Sequence, residues 1–222
     1  MAIGDTMKSK AKTRLFNVAF AAACAGALCM PHSAVAAEEH QHHAHAAHQH
    51  MHADEAKPGD YKLSVHSYTM PDVTLLDRNA QPVRLRDALA TDGPVMVNFI
   101  FTSCTAICPV MSSIFSQVPG KLGPDAAKMR MISISIDPEN DTPQELKAYA
   151  EKFKASARWQ FLTGSLENIQ TVQRAFDNYR GDKMNHEPLT YLRSAPGKPW
   201  VRIDGFASAD GLVQEYRKIA LK

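Results

Sequence analysis

The chain has 222 residues, 45% of them hydrophobic, and a formal net charge of +2. That length holds one full domain with extensions and enough apolar side chain for one sizeable core. Lys8, Lys10, Lys12 and Arg14 outweigh Asp5 within residues 1–36, so the remainder is close to neutral and offers no basic stripe for nucleic acid.

The first stretch reads as an export signal spanning residues 1–36. Lys8 to Arg14 form a charged start, Leu15–Met30 an apolar segment, and Ala34-Val35-Ala36 an A-x-A cleavage site. An uncleaved anchor is disfavoured by Asn17 and Pro31, and a lipid on Cys24 by the poor match of "AAAC" to a lipoprotein signal. Cleavage removes Cys24 and Cys29, leaving Cys104 and Cys108 in an oxidising compartment, the periplasm of a bacterium. A retained N-terminus would instead keep the protein near a membrane.

Residues 37–60 form a histidine-rich segment and linker. His40, His42, His43, His45, His48, His50 and His52 follow one another with no apolar period. Such a tract cannot bury a core, and its imidazoles suit borderline divalent metals. It reads equally as a linker with incidental metal affinity. "KPGD" (Lys57–Asp60) closes it and marks a domain boundary.

Residues 61–222 alternate strand and helix signals. "VTLLD" and "PVRL" flank a turn and predict a hairpin, and "VMVNFIF" (Val95–Phe101) reads as a strand buried on both faces. A helix is expected from Pro109, with Val110, Ile114 and Val118 on one face and Met111 and Phe115 beside it. "MISISID" is a second central strand. Thr142-Pro143-Gln144-Glu145 is a capping box ahead of a helix bearing Leu146, Ala150 and Phe153. "RWQFLTG" is a short strand, and Ser165 caps a helix carrying Ile169, Val172, Phe176 and Tyr179. "LTYLR" and "WVRIDGF" make a closing hairpin, expected at a sheet edge, and a last helix carries Leu212, Val213, Tyr216 and Ile219. This order predicts an α/β, thioredoxin-like fold with a mixed central sheet flanked by helices. Function in such sheets gathers at the carboxyl ends of the strands, which here means Thr102–Cys108 and Asp137.

Cys104 and Cys108 are separated by three residues and followed by Pro109. Cys108 is expected to cap the helix, where dipole and free N–H groups lower a thiol pKa. A purely structural disulfide across so short a loop removes little chain entropy, so a redox pair or half of a metal site is the stronger expectation. Outside the export segment and the tract, only His66 and His186 can supply imidazole. His186 sits in "KMNHEPLTYL", on a polar loop before a strand. Two cysteines and a histidine suit Cu(I), whereas a closed zinc site would want a fourth ligand. Met111 and Met184 could assist copper, but packing is the role expected of both.

At "FTSCTAICP", "SIDPENDTP" and "NHEPLTYL" the chain resembles the Sco/SenC family of copper-binding, thioredoxin-like assembly proteins, over roughly Tyr68 to Arg217. The resemblance implies copper as the metal, Cys104 and Cys108 as thiolate ligands, His186 as imidazole ligand and Asp137 as a nearby acid. It implies a cuproprotein client such as an oxidase subunit, supplied with copper or kept reduced at its cysteines. Thr105 and Asn185 depart from the proline and aspartate common in the family, and Pro188 falls where thioredoxin-type oxidoreductases keep a cis-proline. The competing expectation is a thiol–disulfide oxidoreductase using Cys104 and Cys108 on a thiol–disulfide partner without a metal. A peroxidase would need an arginine that the sequence does not place. A metal buffer would make the histidine tract the working part.

Overall fold

The computed structural model describes residues 61–220. The expected export segment and the tract from His40 to His52 lie outside the described residues. Among the described residues, one mixed sheet of eight strands contains β1 (Tyr61–His66), β2 (Thr74–Asp77), β3 (Pro82–Arg84), β4 (Val95–Ile100), β5 (Arg130–Ser135), β6 (Trp159–Thr163), β7 (Leu189–Arg193) and β8 (Trp200–Gly205). Their spatial order is β1-β8-β7-β4-β5-β6-β2-β3. β4, β5 and β6 run parallel at the centre, while β7 lies antiparallel against β4 and β2 antiparallel against β6.

The α/β, thioredoxin-like expectation holds. All six residues of β4 are buried, because helices cover both faces of the sheet. Alternation sorts its side chains. Met96 and Ile100 enter the core beneath α2 (Ile107–Leu122), α3 (Pro143–Lys152) and α5 (Ala209–Ala220). Val95, Val97 and Phe99 enter the core beneath α1 (Leu85–Leu89) and α4 (Leu166–Ala175). No helix among the described residues is long and apolar enough to cross a membrane.

Four local expectations need correction. The closing hairpin is not at an edge, because β1 pairs antiparallel along the whole of β8. "YKLSVH" alternates apolar and polar residues strictly, the period of a strand, but the sequence reading began its elements at "VTLLD" and missed β1; its Leu63 and Val65 stand exposed. The helix expected from Pro109 begins at Ile107, with Ala106 as its N-cap. A proline in the first turn sacrifices no intrahelical bond, so it need not be the first helical residue. The buried stripe of α2 is Cys108, Met111, Phe115, Val118 and Leu122, spaced three and four apart, while Val110 is 47% exposed. Finally, α4 stops at Ala175. The chain turns left-handed at Asp177 (φ 52°), so Phe176 and Tyr179 follow the helix instead of extending it.

The caps behave as their side chains dictate. Thr142 Oγ1 accepts from the Glu145 N–H at 3.3 Å and Ser165 Oγ from the Asn168 N–H at 3.2 Å. The Thr142 N–H donates to the Asn140 carbonyl at 3.0 Å, so only one arm of the capping box forms.

A polar thread crosses the central strands inside the core. Trp159 Nε1 donates to Ser133 Oγ at 2.9 Å, and Ser133 Oγ donates to Asn98 Oδ1 at 2.6 Å. One hydroxyl thus satisfies groups on β4 and β6 from β5. Ser133→Ala strands a buried indole N–H and a buried amide oxygen, and should cost about 1–3 kcal/mol in urea unfolding. A conservative change on the exposed face, such as Ser113→Ala, should leave the midpoint within experimental scatter.

Candidate metal centre

β4 ends at Ile100 and delivers residues 101–106 to the carboxyl end of the sheet, where α2 begins. Both Cys104 and Cys108 are free thiols here. Cys104 lies half-buried in the loop. Its Sγ accepts from the Cys108 N–H at 3.4 Å, at the N-terminus of α2. Cys108 lies inside the first turn, fully buried, and its Sγ accepts from the Phe101 N–H at 3.4 Å.

This geometry reassigns the activated thiol. Desolvation alone would raise the Cys104 pKa. Hydrogen bonds from the Cys108 and Ala106 backbone, the Cys108 thiol and the Ile107 backbone outweigh it, and the net shift is downward. Burial pushes the Cys108 thiol well up, and the single Phe101 N–H does not offset it. The expectation that Cys108 caps the helix and gains the dipole is therefore corrected. The cap is Ala106, and the sulfur that receives the free N–H groups is Cys104.

The loop is held by a residue the sequence reading did not single out as functional. Asp141 is fully buried, and its carboxylate accepts from the Thr102 N–H at 3.1 Å, Thr102 Oγ1 at 2.6 Å and Ser135 Oγ at 2.6 Å. Burial raises its pKa, and the Ser135 and Thr102 donors pull it back. The same Ser135 Oγ accepts from the Asp137 N–H at 3.0 Å. Asp137 is buried and accepts from Asn140 Nδ2 at 3.0 Å and from Lys183 Nζ at 2.6 Å. Lys183 opens the 3₁₀ turn Lys183–Asn185, and His186 is that turn's C-cap. A continuous polar chain thus runs from the cysteine loop, through the end of β5, to the histidine turn. The motif "SIDPENDTP" contained Asp141, but only the fold shows that its carboxylate reaches back to Thr102.

His186 is buried, and its ring meets the Phe101 ring edge-on at 6.3 Å between centroids. Burial lowers its pKa, partly opposed by a hydrogen bond to the Phe99 backbone. A neutral imidazole anchored through one nitrogen keeps the other for a metal. Phe101 therefore touches both halves of the site, with its N–H on Cys108 and its ring on His186. Among the described residues, no three His, Cys, Asp or Glu side chains stand in a metal-ligating arrangement. Cys104, Cys108 and His186 are neighbours through Phe101, not a closed set. Asp137 faces Lys183 and Asn140, so it ties down the histidine turn.

The remaining candidates separate cleanly. His66 pairs with Trp200, at the opposite end of the sheet from the cysteines, and stacks on Tyr68 with centroids 5.4 Å apart. Met111 packs in the core as expected. Met184 does not, standing 74% exposed on the turn before His186. The Glu187–Pro188 peptide bond is trans.

A thioredoxin-like fold with a paired-cysteine loop at the carboxyl end of a central strand and a histidine across from it defines the class. The SCO1/SenC family model matches residues 61–221, and the chain belongs to that family. Among its relatives, a SCO1 protein homolog of Bacillus subtilis is 33% identical over 112 residues, 46% of this chain and 58% of the relative. Mitochondrial SCO2 homolog of Mus musculus is 34% identical over 123 residues, 54% of this chain and 47% of the relative. The chain thus spans about half of the relatives it matches. The solved structure of BsSco, described as a member of the Sco family of cytochrome c oxidase assembly proteins with a disulfide switch, is 28% identical with a TM-score of 0.60, covering 71% of this chain and 96% of that one. Bradyrhizobium japonicum ScoI, solved with copper bound, shares the fold at 24% identity and a TM-score of 0.57, covering 70% and 99%.

Two outcomes follow. Asp141→Asn keeps one acceptor oxygen and puts an amide NH2 in place of the other, against either the Thr102 donors or the Ser135 hydroxyl. It should cost about 1–3 kcal/mol in chemical denaturation and accelerate hydrogen exchange at the Thr102 amide. In reduced protein lacking residues 1–56, where Cys104 and Cys108 are the two cysteines, iodoacetamide at neutral pH should label Cys104 first. Cys104→Ser should then slow the labelling by about tenfold or more, because the remaining thiol is buried and protonated.

Proposed function

We propose that this protein is an exported copper-handling assembly factor, working in the periplasm. It loads copper through the thiolates of Cys104 and Cys108 and the imidazole of His186, and passes it to a cuproprotein client such as a cytochrome c oxidase subunit. The observation that carries the proposal is the junction at Phe101. A lowered-pKa thiol, a second thiol and a neutral buried imidazole meet around one residue at the functional end of the sheet. Two soft thiolates and one imidazole suit Cu(I). Binding requires the three side chains to draw together, with Cys108 giving up the Phe101 N–H and its proton.

The tract from His40 to His52 serves as a feeder of metal in this proposal. Residues 1–36 act as the export signal and residues 37–60 as the tract and its linker.

One observation also favours thiol–disulfide exchange. Cys104 is half-exposed with a lowered pKa, and Cys108 is a buried neighbour. That is the division between an attacking and a resolving thiol. The two activities are coupled, because a Cys104–Cys108 disulfide cannot supply two thiolates.

Copper stoichiometry on reduced protein lacking residues 1–56 tests the proposal. One tight Cu(I) per chain is expected in the wild type and none in Cys104→Ala or His186→Ala, with affinity falling by about a thousandfold or more on oxidation of the pair. Equal binding by oxidised and reduced protein would remove the cysteine-based site. Exchange activity that survives His186→Ala, in a chain without tight copper, would make thiol chemistry the primary role.

A further inference from the structure

At the end of the sheet opposite the cysteines, an open cavity of about 410 Å³ lies between the loop after β1, the end of α1 and the turn joining β7 to β8. Its size falls within the range of about 300–1,000 Å³ typical of ligand sites. Arg193 lines it from the end of β7, where its strand partner is Val95, the first residue of β4. Tyr68, Leu89 and Trp200 give it apolar walls.

Arg193 is 9% exposed, and no carboxylate among the described residues pairs with it. Its Nη2 donates to the Leu89 carbonyl at 2.5 Å, its Cζ stands 4.5 Å from the Trp200 ring centroid, and its Nε has no partner. These neutral neighbours hold the guanidinium in place without cancelling its charge, and a guanidinium does not give up its proton. A buried charge left without a counter-charge is costly, so such groups are paired or bind an ion.

The rest of the lining adds to the charge. Arg86 and Lys198 stand exposed on the same cavity, and no Asp or Glu lines it. Arg86 Nε holds the Met70 carbonyl at 3.1 Å, which leaves its two terminal nitrogens for a ligand. The acids nearest in the chain, Asp72 and Asp87, act on Arg84. Ser67 and Thr69 add hydroxyl donors. The adjoining cleft shares Lys198 and adds Arg130, Arg158 and Arg217; its acids are Asp92 and Asp125, and Asp125 is held by Lys128 at 3.2 Å. A monocarboxylate would balance only one of the three cations in the cavity. A phosphate dianion brings two charges and several acceptor oxygens, which guanidinium forks and an ammonium can share. Arg86 and Lys198 are the first contacts, and Arg193 acts from the wall through the field of its buried charge.

We propose that this cavity is a phosphate site, holding a free phosphate or the phosphate of a lipid headgroup against Arg86, Arg193 and Lys198. It is independent of the copper reading, because it lies at the other end of the sheet from Cys104, Cys108 and His186 and uses none of them.

Inorganic phosphate titrated into the full chain in chloride buffer of constant ionic strength, followed by calorimetry, tests the site, with acetate as the comparison. One phosphate per chain should bind saturably, about tenfold or more tighter than acetate. Lys198→Gln, at an exposed position, should weaken it by about tenfold and leave the urea midpoint of the free chain unchanged. Arg86→Gln should weaken it as well, and Arg193→Lys, which keeps the charge, should retain more binding than Arg193→Met. The proposal is overturned if phosphate binds the wild type no more tightly than acetate, or if Lys198→Gln and Arg86→Gln bind it as the wild type does. It is also overturned if Arg193→Met folds and binds phosphate unchanged, which would leave Arg193 as a cap on α1 alone. Cosedimentation with phosphatidylglycerol vesicles, against phosphatidylcholine, separates the two sources. Sedimentation that falls in Lys198→Gln assigns a lipid headgroup, and phosphate binding without that fall assigns a soluble phosphate; both uphold the site. Copper stoichiometry should be the same in Lys198→Gln and the wild type, so the phosphate site and the metal centre fail separately.

Discussion

The buried carboxylate of Asp141 is the constraint on which the functional end of this protein depends. A carboxylate is sequestered from water only when donors replace its hydration, and here Thr102 and Ser135 supply three hydrogen bonds. Those donors come from the two loops that leave the central parallel strands. Binding both to one anion sets the distance between the cysteine loop and the end of β5. Ser135 and Asp137 then extend the tie to Lys183, and so to the turn that presents His186. Three segments far apart in the chain are held by one polar thread.

That thread leaves the two sulfurs in different surroundings. Cys104 is outside α2 and takes N–H groups that the helix does not use. Cys108 is within the helix and points into the core, where apolar neighbours favour the neutral thiol. The pair is thus neither two equivalent ligands nor a simple staple. One sulfur is ready to react or bind, and the other must be drawn out of the core. Any metal that recruits both must offset the burial of Cys108, so metal loading and the redox state of the pair are linked through the same movement.

The molecule is polarised along its strands. Cys104, Cys108, His186 and Tyr61 gather toward one end, and His66 with its aromatic stack lies at the other. The parallel centre of the sheet causes this. β4 and β5 both deliver their following loops to the same side, and β7 begins there because it runs antiparallel to β4.

Much of this was legible in the amino-acid order. The buried run at β4 and the serine-alternating run at β5 each had a length and period that permitted one reading. Thr142 and Ser165 announced the starts of α3 and α4. Cysteine spacing, a following proline and a histidine before a late strand pointed to the chemistry and to the family. The site's internal logic was not legible, because it rests on contacts between residues distant in the chain. Asp141 looked like a loop acid until the fold brought it to Thr102, and Phe101 looked like the last residue of a strand until its N–H met Cys108 and its ring met His186. The alternation of β1 was present in "YKLSVH", but its partner β8 is more than a hundred residues away and only the fold shows where that strand pairs. Local patterns determined which elements form and which residue types suit a soft metal. Only tertiary packing decided which sulfur is activated and which carboxylate is structural, because burial and hydrogen-bond partners belong to the folded chain.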